Sequence, residues 1–512
     1  MSPAFTEALA DLPDLARAHL LVSGCAVAIG VALGLPLAIS ASGNRLVRTP
    51  VLGLAGLIQT VPALALLALF YPMLLILGQA SGLAIPALGF LPALIALSLY
   101  ALLPIVRNGI AALQGVDPAV LEAADGIGMT RRQRLMMIEL PLGAPIILAG
   151  IRTAAVWTIG AATLATTVGQ PSLGNLIFSG LQTENWIRVL VGCAAAAALA
   201  LGVDGLLALV ESGLKRRSRL RVAAGLAALA AALALAFAPL SGASAAGETV
   251  VIGAKNFSEQ YILASAIERR LRAAGYRTER RDNLGSTVAY QALAAGDVDV
   301  YVDYGGTLWT NILQRTDIPP PEAMRSQLTA QLRARDGVLV MGALGFENAY
   351  ALAMRRARAE ALGVRTLDDL TRTAPRLSLG ADLEFLSRPE WRSVQSRYRL
   401  AFAQQRSYSP TFMYRAVADG SADVITAFSS DGRIAALDLV TLADPRRALP
   451  SYDALLLVAP RRAADARFTG ALRPLIGAIP VERMRQANLM VDRDSDKRTP
   501  DEAAHWLDPG GR

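Results

Sequence analysis

The chain has 512 residues, 53% of them hydrophobic and 18% charged, with a formal net charge of +8 and a mean hydropathy of +0.39. That is too apolar for an ordinary soluble protein and too charged for a purely membrane one. The basic excess sits in loops between apolar segments rather than on an aromatic-studded face, which excludes a nucleic-acid partner.

Residues 20–240 are dominated by Ala, Leu, Val, Gly and Ile, whereas 248–512 read as a soluble domain rich in Arg and Asp. A bilayer-spanning helix needs roughly 20 apolar residues, and candidates run near 20–41, 51–78, 84–110, 143–168, 189–213 and 222–240. Pro86, Pro92 and Pro104 interrupt the third, so its ends are not fixed by the pattern. Cys25 and Cys193 are the two cysteines; both lie in apolar segments and read as inert core thiols. Arginine and lysine follow the first span (Arg45, Arg48), the third (Arg131, Arg132, Arg134) and the fifth ("KRRSRLR", 215–221), while the loops after the second and fourth have almost none. The positive-inside rule then places the N-terminus outside, Lys215 inside, and residues 248 onward outside again. The sixth segment has two readings. Its basic start, apolar middle and "ASA" end are also those of an export signal. Retained, it tethers the outer domain, which is the reading favoured here; cleaved, it releases it.

The stretch "EAADGIGMTRRQRLMMIELPL" (122–142) falls in an inner loop between the third and fourth spans. Glu122, Ala123 and Ala124 begin a helical turn, Gly128 permits a sharp bend, and "RLMMIEL" resumes a helix expected to stop before Pro141. A solvated loop held by anionic lipid would explain the arginines but not the small residues. The stretch resembles the EAA loop of ABC-importer permeases of the MetI-like type. That resemblance implies a coupling helix, with Glu122, Ala123, Ala124, Gly128 and Pro141 docking on a cytoplasmic ATPase. No "GxxxxGK[ST]" phosphate loop occurs in the sequence, so the ATPase is expected to be a separate polypeptide.

From 250 onward strand and helix patterns alternate, as in "TVVIGAKNFSEQYILASAIERRLRAAGYRTERR". Such units build parallel sheets whose ligand crevices lie at the C-terminal strand ends. "DVDVYVDYGGTLW" and "SADVITAFSSDGRI" are further strand-to-loop edges, and "GALGFENAYALAM" and "YDALLLVAP" read as crossings between two lobes. One lobe is then roughly 248–347 plus 458–505, and the other 348–457. "IGAKNFSEQYIL", "NLGSTVAYQAL", "DVYVDYGGT", "FENAYALAM", "EFLSRPEW", "MYRAV", "SSDGRI" and "LPSYDA" occur in order. Together they resemble the osmoprotectant-type solute-binding proteins that capture glycine betaine, choline and carnitine.

A trimethylammonium group keeps its charge but has no N–H to donate, so the faces of aromatic rings must hold it. The resemblance implies a cage of Tyr304, Tyr350, Phe428 and Tyr452. Phe428 stands where the family more usually has tyrosine, and a further cage tyrosine after 307 has no counterpart. It also implies polar contacts from Gln260 and Thr307. Arg388 in "EFLSRPEW" has the planar fork that pairs with a ligand carboxylate, or else bridges to Glu384 or Asp382. Asp431 reads as a helix cap, and Lys255, one of three lysines with Lys215 and Lys497, as a lobe-closing ion pair.

The expected architecture is an N-terminal α-helical transmembrane bundle (1–214, five permease spans), a linking span (215–247) and an α/β two-lobed periplasmic-binding-protein domain (248–512). Its expected place is the bacterial inner membrane, as a permease homodimer with a separate ATPase, a small quaternary-amine ligand, and no cofactor or metal. Ergothioneine, a betaine with a thio-imidazole ring, is the alternative ligand, since fused permease–receptor chains of this layout also resemble its importers. A membrane-tethered sensor would need an output domain that the sequence does not show. With His19 and His505 at opposite ends, a histidine-based active site is not available to the crevice. The sidedness gives a direct expectation. In intact cells, a cysteine replacing Ser218 should be shielded from an impermeant thiol reagent and one replacing Ser244 should react; the reverse pattern would overturn the topology.

Overall fold

The computed structural model of the protein describes residues 3–83, 85–237, 248–493, 495–508 and 510. The small-residue end of the sixth segment, with its "ASA", lies outside the described residues, as does Ser244. The chain forms two compact units, one helical and one built on two β-sheets.

The helical unit is drawn from α1 (Pro3–Ser42), α2 (Arg45–Thr60), α3 (Ala63–Ser81), α4 (Phe90–Gln114), α5 (Pro118–Gly126), α6 (Arg131–Arg134), α7 (Leu140–Ala162), α8 (Gly174–Gln182), α9 (Trp186–Lys215) and α10 (Arg219–Phe237). Phe5–Ser42, Phe90–Gln114, Arg131–Val168, Trp186–Lys215 and Arg219–Phe237 are each long and apolar enough to cross a membrane. The continuous span expected over 51–78 is instead a bent pair, α2 and α3, meeting at 100°. Pro62 accounts for the break: it has no N–H to continue the helix, and it holds Val61 in extended backbone. The prolines of the third span do not break it. Pro92 falls in the first turn of α4, where no N–H partner is required, and Pro104 is carried inside the helix. Small residues let α4 and α7 approach closely: a Cβ added at Gly150 would stand 2.5 Å from Asn108 Cβ and 2.8 Å from the Pro104 carbonyl. Arg152 in α7 is paired, lying 2.8 Å from Asp204 and 2.7 Å from Glu211. Cys193 is exposed on α9 rather than in the core, because the outer faces of these helices are apolar and meet no protein.

The loop at 122–142 forms as helix, bend, helix. Asp117 caps α5, which carries Glu122 and Ala123 on an exposed face and buries Ala124. Gly128 bends the chain at φ +80, a conformation that other residues rarely adopt. Thr130 and Gln133 then form a capping box for α6. The helix does not stop before Pro141. A wider π turn at Leu135–Glu139, with the Leu140 N–H bonded to Leu135 O, absorbs the missing N–H, and α7 continues with Pro141 in its first turn. Ile127, Met136 and Met137 stand exposed along this loop.

The second unit contains β1 (Thr249–Lys255), β2 (Arg277–Leu284), β3 (Val300–Tyr304), β4 (Leu339–Glu347), β5 (Tyr350–Arg355), β6 (Ser378–Asp382), β7 (Gln404–Tyr408), β8 (Val424–Phe428), β9 (Leu439–Thr441) and β10 (Asp453–Val458). The first sheet has the order β2-β1-β3-β10-β4 and the second β7-β6-β8-β5-β9. In each, the first three strands are parallel and the last two antiparallel. The helices α11 (Ser258–Ala273) and α12 (Ser286–Ala295) cross over between strands of the first sheet. Residues 453–457, assigned by the sequence to the second lobe, belong to the first sheet. The "ALLLV" of β10 is fully buried, and it pairs with β3 on one side and β4 on the other. The return crossing therefore lies before Asp453, and it is tied to the outgoing one by Asn348 N–H donating to Tyr452 O at 3.0 Å.

Gly128→Val forces a β-branched residue into positive φ, at a cost of about 1–2 kcal/mol. If the bend docks on an ATPase, uptake by this variant should be lost at normal expression while ligand binding by the full chain is retained. Normal uptake would remove the coupling role from this loop.

Candidate functional site

Both sheets point the C-terminal ends of their parallel strands at one cleft, and its side chains are the residues on which those strands stop. Lys255 ends β1, Tyr304 ends β3, Asp382 ends β6 and Phe428 ends β8. Tyr350 opens β5 in register with Phe428, and Tyr452 stands just before β10. A cleft with about 50 Å³ of free space is lined by these residues together with Phe257, Ser286, Thr307, Asn348, Glu384 and Arg388. Of the sequence-derived set, Tyr304, Thr307, Tyr350, Arg388, Phe428 and Tyr452 are thus brought together. Gln260 is not on the wall. It stands behind Tyr304, its Nε2 donating to the Tyr304 hydroxyl at 2.9 Å and its Oε1 accepting from Lys255 N at 3.3 Å.

The rings form a continuous aromatic wall. Phe257 packs 6.1 Å from Tyr304 and 6.2 Å from Phe428, and Tyr350 lies 5.1 Å from Phe428 and 5.5 Å from Tyr452. Buried carboxylates behind the wall fix the tyrosines. Tyr304 donates to Glu259 Oε1 at 2.6 Å, and Tyr452 donates to Glu390 Oε1 at 2.6 Å. Burial, then the neighbouring carboxylate, pushes both phenols well above the ordinary tyrosine range, so the rings stay neutral. The Tyr350 hydroxyl makes no hydrogen bond to any described residue, and so is open to a ligand. A Cβ on Gly306 would fall 2.5 Å from the Tyr452 ring, so only glycine leaves that ring its place.

Two cations and two anions share the cleft. Lys255 Nζ pairs with Asp303 Oδ1 at 2.6 Å and stands 4.8 Å over the Tyr304 ring. This pair does not bridge the lobes as expected, because β1 and β3 are neighbours in one sheet. Arg388 is 4% exposed; Nη2 bonds Glu384, and Nη1 is 3.3 Å from both Thr307 Oγ1 and Glu390 Oε1. Its Nε has no hydrogen-bond partner among the described residues, and its guanidinium is 5.4 Å from the Tyr350 ring centre. Asp382 caps the short helix after β6 through Oδ1, at 2.9 Å from Phe385 N, and leaves Oδ2 without a partner among the described residues. Asp431 is not the cap of the helix that follows it: Gly432 is, and Asp431, one residue earlier, accepts from the Arg433 N–H at 2.9 Å and pairs with that residue's guanidinium.

Sequence reasoning missed Phe257, Asn348, Glu259 and Asp382. The first three lie within motifs already singled out, "KNFSEQ" and "FENAY", where an aromatic or amide beside the marked residue was the available signal. Asp382 carried no local signal, since an acid before "LEFLS" reads only as a cap.

Residues 248–508 match the family described as the substrate binding domain of ABC-type glycine betaine transport systems, and residues 30–216 match the binding-protein-dependent transport system inner membrane component. The chain is 27% identical over 482 residues to the ergothioneine transport permease/ergothioneine binding protein EgtU of Helicobacter pylori, covering 90% of this chain and 83% of that one. It is 39% identical over 188 residues to the osmoprotectant import permease protein OsmW of Salmonella typhimurium, covering 37% of this chain and 84% of that one. Among solved structures, a glycine betaine/carnitine/choline ABC transporter aligns at 25% identity and a TM-score of 0.45, over 51% of this chain and 97% of that one.

Burial pushes the Asp382 carboxyl up to about 6 from an ordinary 3.8. The folded state therefore holds a proton that the unfolded chain has released, and this contribution to stability is lost as pH rises from about 4 through 6. A cationic ligand beside Asp382 draws the ionised form, so its affinity should rise with pH over the same range. Binding about tenfold weaker at pH 5 than at pH 7 is expected, since one pH unit below the pKa is a factor of ten. Asp382→Asn should flatten that profile; an unchanged profile would place the cation elsewhere.

Proposed function

The chain belongs to the family of substrate-binding domains of ABC-type glycine betaine transport systems, and from that premise we propose that its ligand is a zwitterionic betaine, a quaternary ammonium bearing a carboxylate. It is the permease and the extracytoplasmic binding domain of an inner-membrane importer of quaternary amines and osmoprotectants, in one polypeptide. Neither part is itself an enzyme. We assign ATP hydrolysis to a separate cytoplasmic subunit docked on the loop at 122–142, and the permease to a homodimer, so that two such loops meet two ATPases.

The observation that carries the ligand reading is Arg388. A buried guanidinium with an unpartnered Nε at the edge of an aromatic cage suits a ligand with an anionic end. The rings of Tyr304, Tyr350, Phe428 and Tyr452 suit the trimethylammonium end. Among betaines, ergothioneine is favoured by one specific observation, the full-length likeness to a chain named for that ligand. Glycine betaine and carnitine share both recognised ends and form the other reading.

The test is calorimetry of the purified full chain against glycine betaine, carnitine, choline and ergothioneine. Arg388→Ala should weaken every carboxylate-bearing ligand by about 1.5–3 kcal/mol, the worth of a charged hydrogen bond, and leave choline nearly untouched. Tyr350→Ala should cost all of them about 1–3 kcal/mol, and Tyr350→Phe much less. Equal losses for choline and the betaines in Arg388→Ala would exclude the zwitterion reading.

A further inference from the structure

A second, smaller cavity lies behind the aromatic wall, and Phe257, Asn348 and Phe428 separate it from the ligand cleft by lining both. Its polar walls include Glu259, Ser430, Asp431, Arg433, Asn488 and Asp492. Its free space, about 30 Å³, suits a single water-sized occupant.

The charges around that space do not balance. Three carboxylates line it with one guanidinium; Arg433 is committed to Asp431 at 2.6 Å and to Asp492 at 3.8 Å, and the Lys497 ammonium acts on Asp492 from beyond the wall. Glu259, 3% exposed, has no basic partner among the described residues. Neutral donors alone hold it: the Tyr304 hydroxyl at 2.6 Å, Asn348 Nδ2 at 2.9 Å and Asn488 Nδ2 at 2.9 Å. Burial pushes its carboxyl above the usual range against those hydrogen bonds. The two asparagines, 5% and 4% exposed, each leave Oδ1 buried with no hydrogen-bond partner among the described residues. Buried amide oxygens are almost always satisfied, so an occupant is expected beside them; Asn488 lines this cavity and not the ligand cleft, and Asn348 lines both. One water would satisfy the oxygens but leave the charge uncompensated.

We propose that this cavity binds a monovalent alkali cation of about sodium's size, ligated by Glu259 and the amide oxygens of Asn348 and Asn488. Hard oxygen donors with one carboxylate suit such an ion. A site built on carboxylates or imidazoles is not offered, since no group of three His, Cys, Asp or Glu among the described residues converges on a metal position. The walls come from both sheets' halves of the unit: Glu259, Asn488 and Asp492 from the first, Ser430, Asp431 and Arg433 from the second, with Asn348 at the crossing. The cavity is therefore completed by residues of both lobes, as is the cleft in front of it. Cation and ligand then favour each other's binding.

The experiment needs no organic ligand, so its outcome is independent of the betaine assignment. Thermal unfolding of the purified full chain is followed in LiCl, NaCl, KCl and CsCl at constant ionic strength. Sodium should raise the midpoint by about 2–4 °C or more over caesium, whose radius exceeds that of a water molecule, and the rise should saturate. Glu259→Gln, which keeps the shape and an acceptor, should abolish the sodium-specific rise. Equilibrium dialysis of radiosodium against the wild-type chain gives a second readout that requires no variant, and stoichiometric, saturable uptake is expected. A shift identical for all four salts, a shift retained in Glu259→Gln, or no saturable sodium uptake would each overturn the proposal and leave the cavity to water.

Discussion

The hydrogen bond from the Tyr304 hydroxyl to the buried Glu259 carboxylate is the contact on which the ligand cleft depends. A cation without N–H groups is recognised by ring faces, and a ring face selects only if the ring cannot turn away. Glu259 fixes Tyr304 from behind, Gln260 fixes it from the side, and Glu390 does for Tyr452 what Glu259 does for Tyr304. Glu259 and Glu390 thus stand behind the rings and do not line the cleft themselves. Their burial is unfavourable by itself and is tolerated only because each accepts several hydrogen bonds. Each of the two phenols, Tyr304 and Tyr452, donates to an oxygen one layer behind its ring, which holds the ring face toward the cleft.

The outline of the fold was legible because its signals are periodic. Apolar runs of bilayer length marked five of the spans, and the alternation of "TVVIGAK" with an amphipathic helix marked the parallel sheets. The failures have local causes. Nothing in the composition of 51–78 distinguishes a straight span from two helices at 100°, and only Pro62, a single residue, carries the break. β10 was misplaced because a fully buried strand of either sheet reads the same, and its partner is chosen by long-range pairing that no local pattern records. The rings of the cleft were legible since each stands at or beside one end of a strand. Asp382 and Glu390 were not, because an acid in a loop looks the same whether it faces water or a buried tyrosine.

In the helical unit the residues that matter are small or charged, for opposite reasons. Gly150 admits the backbone of α4, which a side chain would exclude, and Arg152 two positions on must find acids within the apolar helices. One turn of α7 therefore combines close packing with a committed ion pair, and both bind it to definite neighbours. The same helix continues through its π turn into the loop at 122–142. A displacement of that loop has a rigid path into the apolar bundle, with the widened turn as its one irregular point.

The paired crossings between the two sheets have a mechanical consequence. Asn348 and Tyr452, which join them through one backbone hydrogen bond, also reach the cleft with their side chains. The residues that join the two sheets thus also line the cleft. A lever loaded at its fulcrum converts a small change there into a large sweep at its far ends. A ligand slightly too long or too short for the cage would alter the angle between the lobes out of proportion to its own size. Discrimination among similar amines then resides in whether the two halves close to a matching shape, as much as in how tightly any one ring holds.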